Sequence, residues 1–299
     1  MGSTTTTMRG IAEGGERSLD MKDDDGNSKG LLVIRDLQIK QKYSFLDYVL
    51  GGCELNLLCA VDFTSSNGAP YLHNSLHYQN PSGDYNDYEK ALVSVGKILL
   101  NYDSDKMVPM YGFGGKVNNQ ISHCFPLNGS HESPEVYEVD GMLTTYRTAL
   151  NSVALSGPTL FSHIVDTTIR YAQAARCSQD NQQYFILFIL TDGEIHDMKQ
   201  TIDRIVEATS LPISVIIVGV GEESFENMVV LDADDDPLID SKGKEMERDA
   251  VQFVPFREVG NSASRLSKEV LEEVPGQLVE FFDKAGIKPN PPITDVQMT

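Results

Sequence analysis

The residues best suited to chemistry stand in "VDFTSSNG" (61–68), where the apolar run "ELNLLCA" ends in Asp62 and is followed by Thr64 and Ser66 in a DxTxS spacing. In a loop leaving a strand, alternate residues turn to one side, so Asp62, Thr64 and Ser66 can converge on one point. One carboxylate among neutral hydroxyls is a hard-oxygen donor set, matched to Mg²⁺, Mn²⁺ or Ca²⁺ and not to zinc. A second long apolar run ends in the same way at Asp192, in "LTDGE". "SGPTLFS" offers a further hydroxyl, Thr159, at a Gly-Pro turn just ahead of a helical pattern. In open α/β sheets, ligands sit beyond the carboxyl ends of the strands, where the strand order reverses, so function is expected near Asp62 and Asp192. The same residue types also serve as helix N-caps, a role compatible with holding a cation.

Such side chains need a rigid sheet beneath them. Strand-like runs occur at 31–36, 54–62, 107–114, 122–127, 184–192, 213–221 and 251–256; those at 184–190 and 213–218 are apolar at nearly every position, as in strands covered on both faces. Helical patterns lie between them. In the last of these, Leu266, Val270, Leu271, Val274, Leu278 and Phe282 form one stripe, a core-facing one, and Pro275 predicts a kink or a break into two helices. The alternation predicts an α/β fold: a doubly wound, mostly parallel open sheet with helices on both faces. Residues 1–30 are polar and acidic and are expected to form a disordered linker; 31–288 form the domain, and 289–299 a Pro-rich tail.

Other motifs lead away from catalysis. "GFGGK" (112–116) fails the phosphate-loop spacing and reads as a tight turn. His73 and His77 are four apart, but "YLHNSLHYQNPSG" is rich in turn residues, which predicts a loop and no zinc site. His163, His196 and Glu194 are expected at the surface without ligand roles. "DADDDP" (232–237) lacks the EF-hand's sixth-position glycine and reads as a solvated acidic loop. No Ser–His–Asp or Cys–His arrangement can be assigned, so the chain is not expected to be an enzyme; the alternative in that class is a Mg²⁺-dependent phosphoryl-transfer or hydrolytic activity.

The chain carries 44 Asp and Glu against 24 Lys and Arg, a formal net charge of −20, which argues against a nucleic acid or an anionic bilayer as direct partner. Its four cysteines show no CxxC spacing and read as free thiols of a reducing compartment; with no signal-peptide pattern, a cytoplasmic location is expected.

The DxTxS loop with Thr159 and Asp192 resembles the metal-ion-dependent adhesion site of von Willebrand factor A-type domains. The segments "YSFLDYVLGGCELNLLCAVDFTSSNG", "SLHYQNP", "NYDSDKMVPMYGFGGK", "SGPTLFSHIV", "QYFILFILTDGEIHDM", "SLPISVIIVGVG", "RDAVQFVPFRE" and "GIKPNPP", in this order, are similar to the A-type domain of the copines. The resemblance implies a Rossmann-like A-type fold and one divalent cation, Mg²⁺ or Mn²⁺ with Ca²⁺ as the alternative, held by Asp62, Thr64, Ser66, Thr159 and Asp192. It implies a protein-interaction role for that ion, whose partners are intracellular proteins that offer it an acidic residue. Copines carry calcium-dependent membrane-binding domains ahead of this one, and "NSKGLL" looks like the junction. The chain is thus expected to be a fragment or truncated relative whose parent associates with membranes when calcium rises. A further reading, a substrate-recruiting domain of a RING-type ubiquitin ligase, comes from similar domains that sit beside RING modules.

Overall fold

The computed structural model describes residues 18–34, 41–233, 236–259 and 262–293. Two compact units divide the chain at Lys42 and Tyr43.

In the first unit, β1 (Ser18–Lys22) and β2 (Ser28–Val33) form an antiparallel hairpin. The composition of residues 1–30 predicts disorder; residues 1–17 lie outside the described residues, but 18–22 pair with 28–33 across a turn. Local polar chemistry explains it. The Asp23 carboxylate accepts from the N–H groups of Asp25 and Asn27, Gly26 takes φ +83°, and Lys29 pairs with Asp23 at 3.1 Å, so a turn forms with almost no apolar burial. The domain boundary expected at 31 therefore falls inside β2, where Leu31, Leu32 and Val33 pair with β1; Arg35 and Asp36 lie outside the described residues.

The second unit contains, in order, α1 (Phe45–Leu50), β3 (Glu54–Asp62), α2 (Asp87–Leu99), β4 (Met107–Phe113), β5 (Gly115–Val117), β6 (Gln120–Ser122), β7 (Phe125–Pro126) and β8 (Glu135–Tyr137). Then come α3 (Glu138–Ser152), β9 (Ala154–Leu155), α4 (Ser162–Ala175), β10 (Gln183–Thr191), α5 (Met198–Ala208), β11 (Ile213–Gly219) and α6 (Glu226–Asp232). The last are β12 (Val251–Pro255), α7 (Phe256–Val259), α8 (Ala263–Val270) and α9 (Val274–Lys284). Pro275 sits in the first turn of α9, so the predicted break is what forms.

The main sheet has the order β12-β11-β10-β3-β4-β7, with β8 also pairing β4. Its first five strands are parallel; β7 and β8 are antiparallel additions. The chain runs from β3 outward to β4, then returns to the opposite flank of β3 with β10, so the strand order reverses between β3 and β10. Successive side chains of these strands enter opposite cores. Leu55, Leu57, Cys59 and Val61 of β3 pack with α1, α2, α3, α8 and α9, while Leu58 and Ala60 pack with α4, α5 and α6. The expected doubly wound sheet with helices on both faces is therefore present. Part of the Pro-rich tail also packs: Ile293 N–H donates to the Leu50 carbonyl at 2.9 Å, and Asn290 accepts from Gln179.

Candidate metal centre

Parallel pairing of β3 with β10 sets Val61 against Leu190, so Asp62 leaves the sheet beside Thr191 and Asp192. This register brings the two strand-terminal acids together. Asp62 is fully buried: its Oδ1 accepts from the Thr64 N–H at 2.8 Å and the Thr64 hydroxyl at 2.6 Å, and its Oδ2 accepts from the Thr191 hydroxyl at 2.7 Å. The Thr64 and Ser66 hydroxyls are 2.9 Å apart, and Asp192 lines the same cleft as Ser66, close enough for its charge to act on Asp62. Thr64 is followed by a single 3-10 turn, Ser65–Asn67, held from below by the Tyr88 hydroxyl donating to Asn67 at 2.6 Å.

Thr159 reaches the same place from a second loop. Ser65 N–H donates to the Ser156 carbonyl at 2.7 Å and Ser156 N–H to Phe63 at 3.1 Å, which lays residues 156–159 along the DxTxS loop. The Gly157–Pro158 peptide is cis. Asp197, buried, accepts from the N–H groups of Phe161 and Ser162, both at 3.0 Å, and so caps α4. His196 grips Thr159 from both sides: its N–H donates to the Thr159 carbonyl at 2.9 Å, and its Nδ1 accepts from the Thr159 N–H at 3.4 Å.

Four further residues support the site: the sequence does not mark Thr191 and Asp197, and it shows Gly114 only as a turn glycine and His77 only as a loop histidine. His77 belongs to the expected loop yet is fully buried beneath Asp62. One ring nitrogen, Nε2, lies 2.9 Å from the Asp62 carbonyl and the other, Nδ1, 2.8 Å from the Tyr146 hydroxyl. Since a carbonyl only accepts, Nε2 carries the proton and Nδ1 accepts from tyrosine. Gly114 turns the chain out of β4 at φ +73°, and a Cβ there would lie 2.3 Å from Cγ2 of Thr64. Gly114→Ala is expected to cost about 1–3 kcal/mol in urea unfolding, from backbone strain plus the forced shift of Thr64.

Ser66, Thr159 and Asp192 share one cleft of about 510 Å³ with Glu194, His196, Glu223, Ser224, Glu226 and Asn227. Among the described residues, no cluster of three or more His, Cys, Asp or Glu side chains is placed to hold a metal; the donors gathered here are two carboxylates and three hydroxyls. Burial, and then the charge of Asp192, push the Asp62 carboxyl up to about 7, and burial raises Asp192 as well, with Glu223 adding to it. Two adjacent acids at a buried sheet end repel unless a proton or a cation lies between them. The donor set fits a small hard cation.

The copine family model matches residues 75–290. The chain belongs to the copine family. Copine-C of Dictyostelium discoideum is 40% identical over 267 residues, 89% of this chain and 49% of that protein; Copine-A of the same organism is 43% identical over 266 residues, 88% and 44%. This copine chain thus spans about half the length of the curated relatives it matches. Among solved structures, the manganese-loaded TRAP protein of Plasmodium vivax is similar at 14% identity and a TM-score of 0.42, over 73% of each chain. Mussel byssus proximal thread matrix protein 1 is similar at 13% and 0.40, over 77% of this chain and 48% of that one. Both TM-scores are below 0.5, too low for either likeness to bear on the site.

Proposed function

We propose that this copine chain is a cation-dependent protein-interaction module, in which Asp62, Thr64, Ser66, Thr159 and Asp192 hold one divalent ion, Mg²⁺ or Mn²⁺ in preference to Ca²⁺. The observation that carries the reading is the meeting of Asp62 and Asp192 at the reversal of strand order, with the Thr64 hydroxyl bonded to Asp62 and to Ser66, and with Thr159 on the same cleft. When bound, the ion supplies a positive charge with a position open to a carboxylate, because hydroxyls do not neutralise it. The chain's own residues orient that position. Thr191 and Thr64 fix both oxygens of Asp62, Asp197 and His196 hold the Thr159 loop, and the surrounding core keeps water from the back of the site. A partner Asp or Glu then completes the coordination, so recognition depends on the ion.

The cleft also supports interaction over phosphoryl transfer. None of its lining residues is Lys or Arg, and Glu194, Glu223 and Glu226 would repel a phosphate. Attachment to membranes is assigned to parts of the parent protein other than this chain, and the location of that protein is proposed as cytoplasmic. Among the described residues, no helix is long and apolar enough to cross a membrane.

The direct test is thermal unfolding with and without cation. Millimolar MgCl₂ or MnCl₂ is expected to raise Tm, and excess EDTA to reverse the rise; a ligand at 100 times its Kd adds about 2.7 kcal/mol. An unchanged Tm, with no heat of binding by calorimetry, would sink the reading.

A further inference from the structure

Helix α6 links the cation cleft to a second pocket, mostly apolar but also lined by Asp232 and Asp236. Glu226 and Asn227 line the cleft, while Val229 and Val230, with Leu238 and Ile239, line a pocket of about 510 Å³. Val229, Val230 and Ile239 are 60%, 53% and 57% exposed, a concentration of uncovered branched side chains. Residues three and four apart share a helix face, so Glu226, Asn227, Val229 and Val230 form one continuous strip. Among the described residues, no Lys or Arg pairs with Glu194, Glu223 or Glu226. Arg257 lies close by, but it donates to the carbonyls of Glu222 and Glu223 and rests on the Phe225 ring at 5.5 Å.

We propose that this strip is the specificity-determining half of the partner site. Its occupant is an extended segment of a partner protein in which the ion-binding Asp or Glu is flanked by Lys or Arg, with an apolar side chain two to four residues further along. The inference rests on the proposed cation site, because the carboxylate that anchors the segment needs the ion. Charge selects the flank: a basic residue meets Glu194, Glu223 and Glu226, whereas an acidic one adds repulsion. The net charge of −20 disfavours a second copy of this chain as the occupant. Length sets the spacing. Four helical residues cover about 6 Å and two extended residues about 6.6 Å, so a segment lying along α6 from Glu226 reaches Val230 within about two or three residues.

The experiment is fluorescence polarisation in saturating MgCl₂ with labelled peptides built on Asp-Lys-Ser-Leu, and with versions carrying Glu for Lys or Asn for Leu. The parent peptide is expected to bind at least about 10-fold more tightly than either version, a difference of about 1.4 kcal/mol. Glu226→Gln combined with Glu223→Lys is expected to collapse the Lys-over-Glu preference at least 5-fold, and Val230→Ser to collapse the Leu-over-Asn preference while calorimetric Mg²⁺ affinity stays unchanged. If all three peptides bind alike to protein that calorimetry shows to hold Mg²⁺, the strip has no such role, although the cation reading stands. If Mg²⁺ does not bind at all, the cation reading fails first and takes this inference with it.

Discussion

Asp62→Asn is expected to lower Mg²⁺ and Mn²⁺ affinity by at least about 100-fold, in titration calorimetry, while leaving the fold in place. The substitution removes charge and little else. Oδ1 of the asparagine can still accept from the Thr64 N–H and hydroxyl, and its Nδ2 can donate to the Thr191 hydroxyl, which turns to accept. Loss of supporting contacts around a metal ligand already costs about 10–100-fold, so loss of a ligand's charge sits at or beyond the upper end. Without cation, the variant should be as stable as the wild type or more so, because the repulsion between Asp62 and Asp192 that helps push Asp62 up to about 7 disappears. Asp62→Ala separates the two effects: it leaves the Thr64 and Thr191 donors buried without their acceptor, at about 1–3 kcal/mol each. A thermal shift by Mg²⁺ that survives in the asparagine variant would mean that the ion sits elsewhere. Capture of partner proteins should fall together with the shift, since the carboxylate that binds them needs the ion.

The apolar strands were legible because burial on both faces forces runs such as "YFILFIL", whose shortness and β-branched and aromatic content favour a strand over a buried helix. The acids at the strand ends were legible for the complementary reason: Asp62 and Asp192 interrupt those runs where a buried charge needs a purpose. What supports them was not. His77 lies 15 residues beyond Asp62 and beside Tyr146 only in three dimensions, and its spacing from His73 points to the wrong question, whether a helix could bind zinc. Asp197 stands in sequence only at the head of a helical run, and the fold alone shows it accepting from the first N–H groups of α4. Gly114 reads as a turn glycine, and only the approach of Thr64 shows that the missing Cβ is space the site needs. The hairpin of residues 18–33 escaped a compositional reading because it is held by Asp23, Lys29 and a backbone ladder, none of which requires an apolar core.

His77→Ala is expected to remove about 4 kcal/mol of stability, the largest loss from any single change near the site. The imidazole is fully buried, lies 4.4 Å from the Tyr88 ring at a tilt of 35° and fills the space under the end of β3, so its removal leaves a cavity and an Asp62 carbonyl without a donor. The Tyr146 hydroxyl also loses the acceptor for its proton, since Asn86 Nδ2, 3.4 Å away, only donates to its oxygen. His77→Phe keeps the volume and loses the hydrogen bonds, which should reduce the cost to about 2 kcal/mol. The two variants also differ from wild type in pH dependence. Burial pushes the folded-state imidazole down to about 3, whereas the unfolded chain takes up that proton near 6.5. Below about 6.5 the unfolded state therefore binds one more proton, and this group's contribution is lost as pH falls towards 3, at up to about 1.4 kcal/mol per unit. In denaturant titrations between pH 7 and 4, His77→Phe should show a slope shallower by that one proton. Equal slopes in the two proteins would mean that His77 is already charged in the fold, which the Nε2 bond to the Asp62 carbonyl permits but the Nδ1 bond from tyrosine does not.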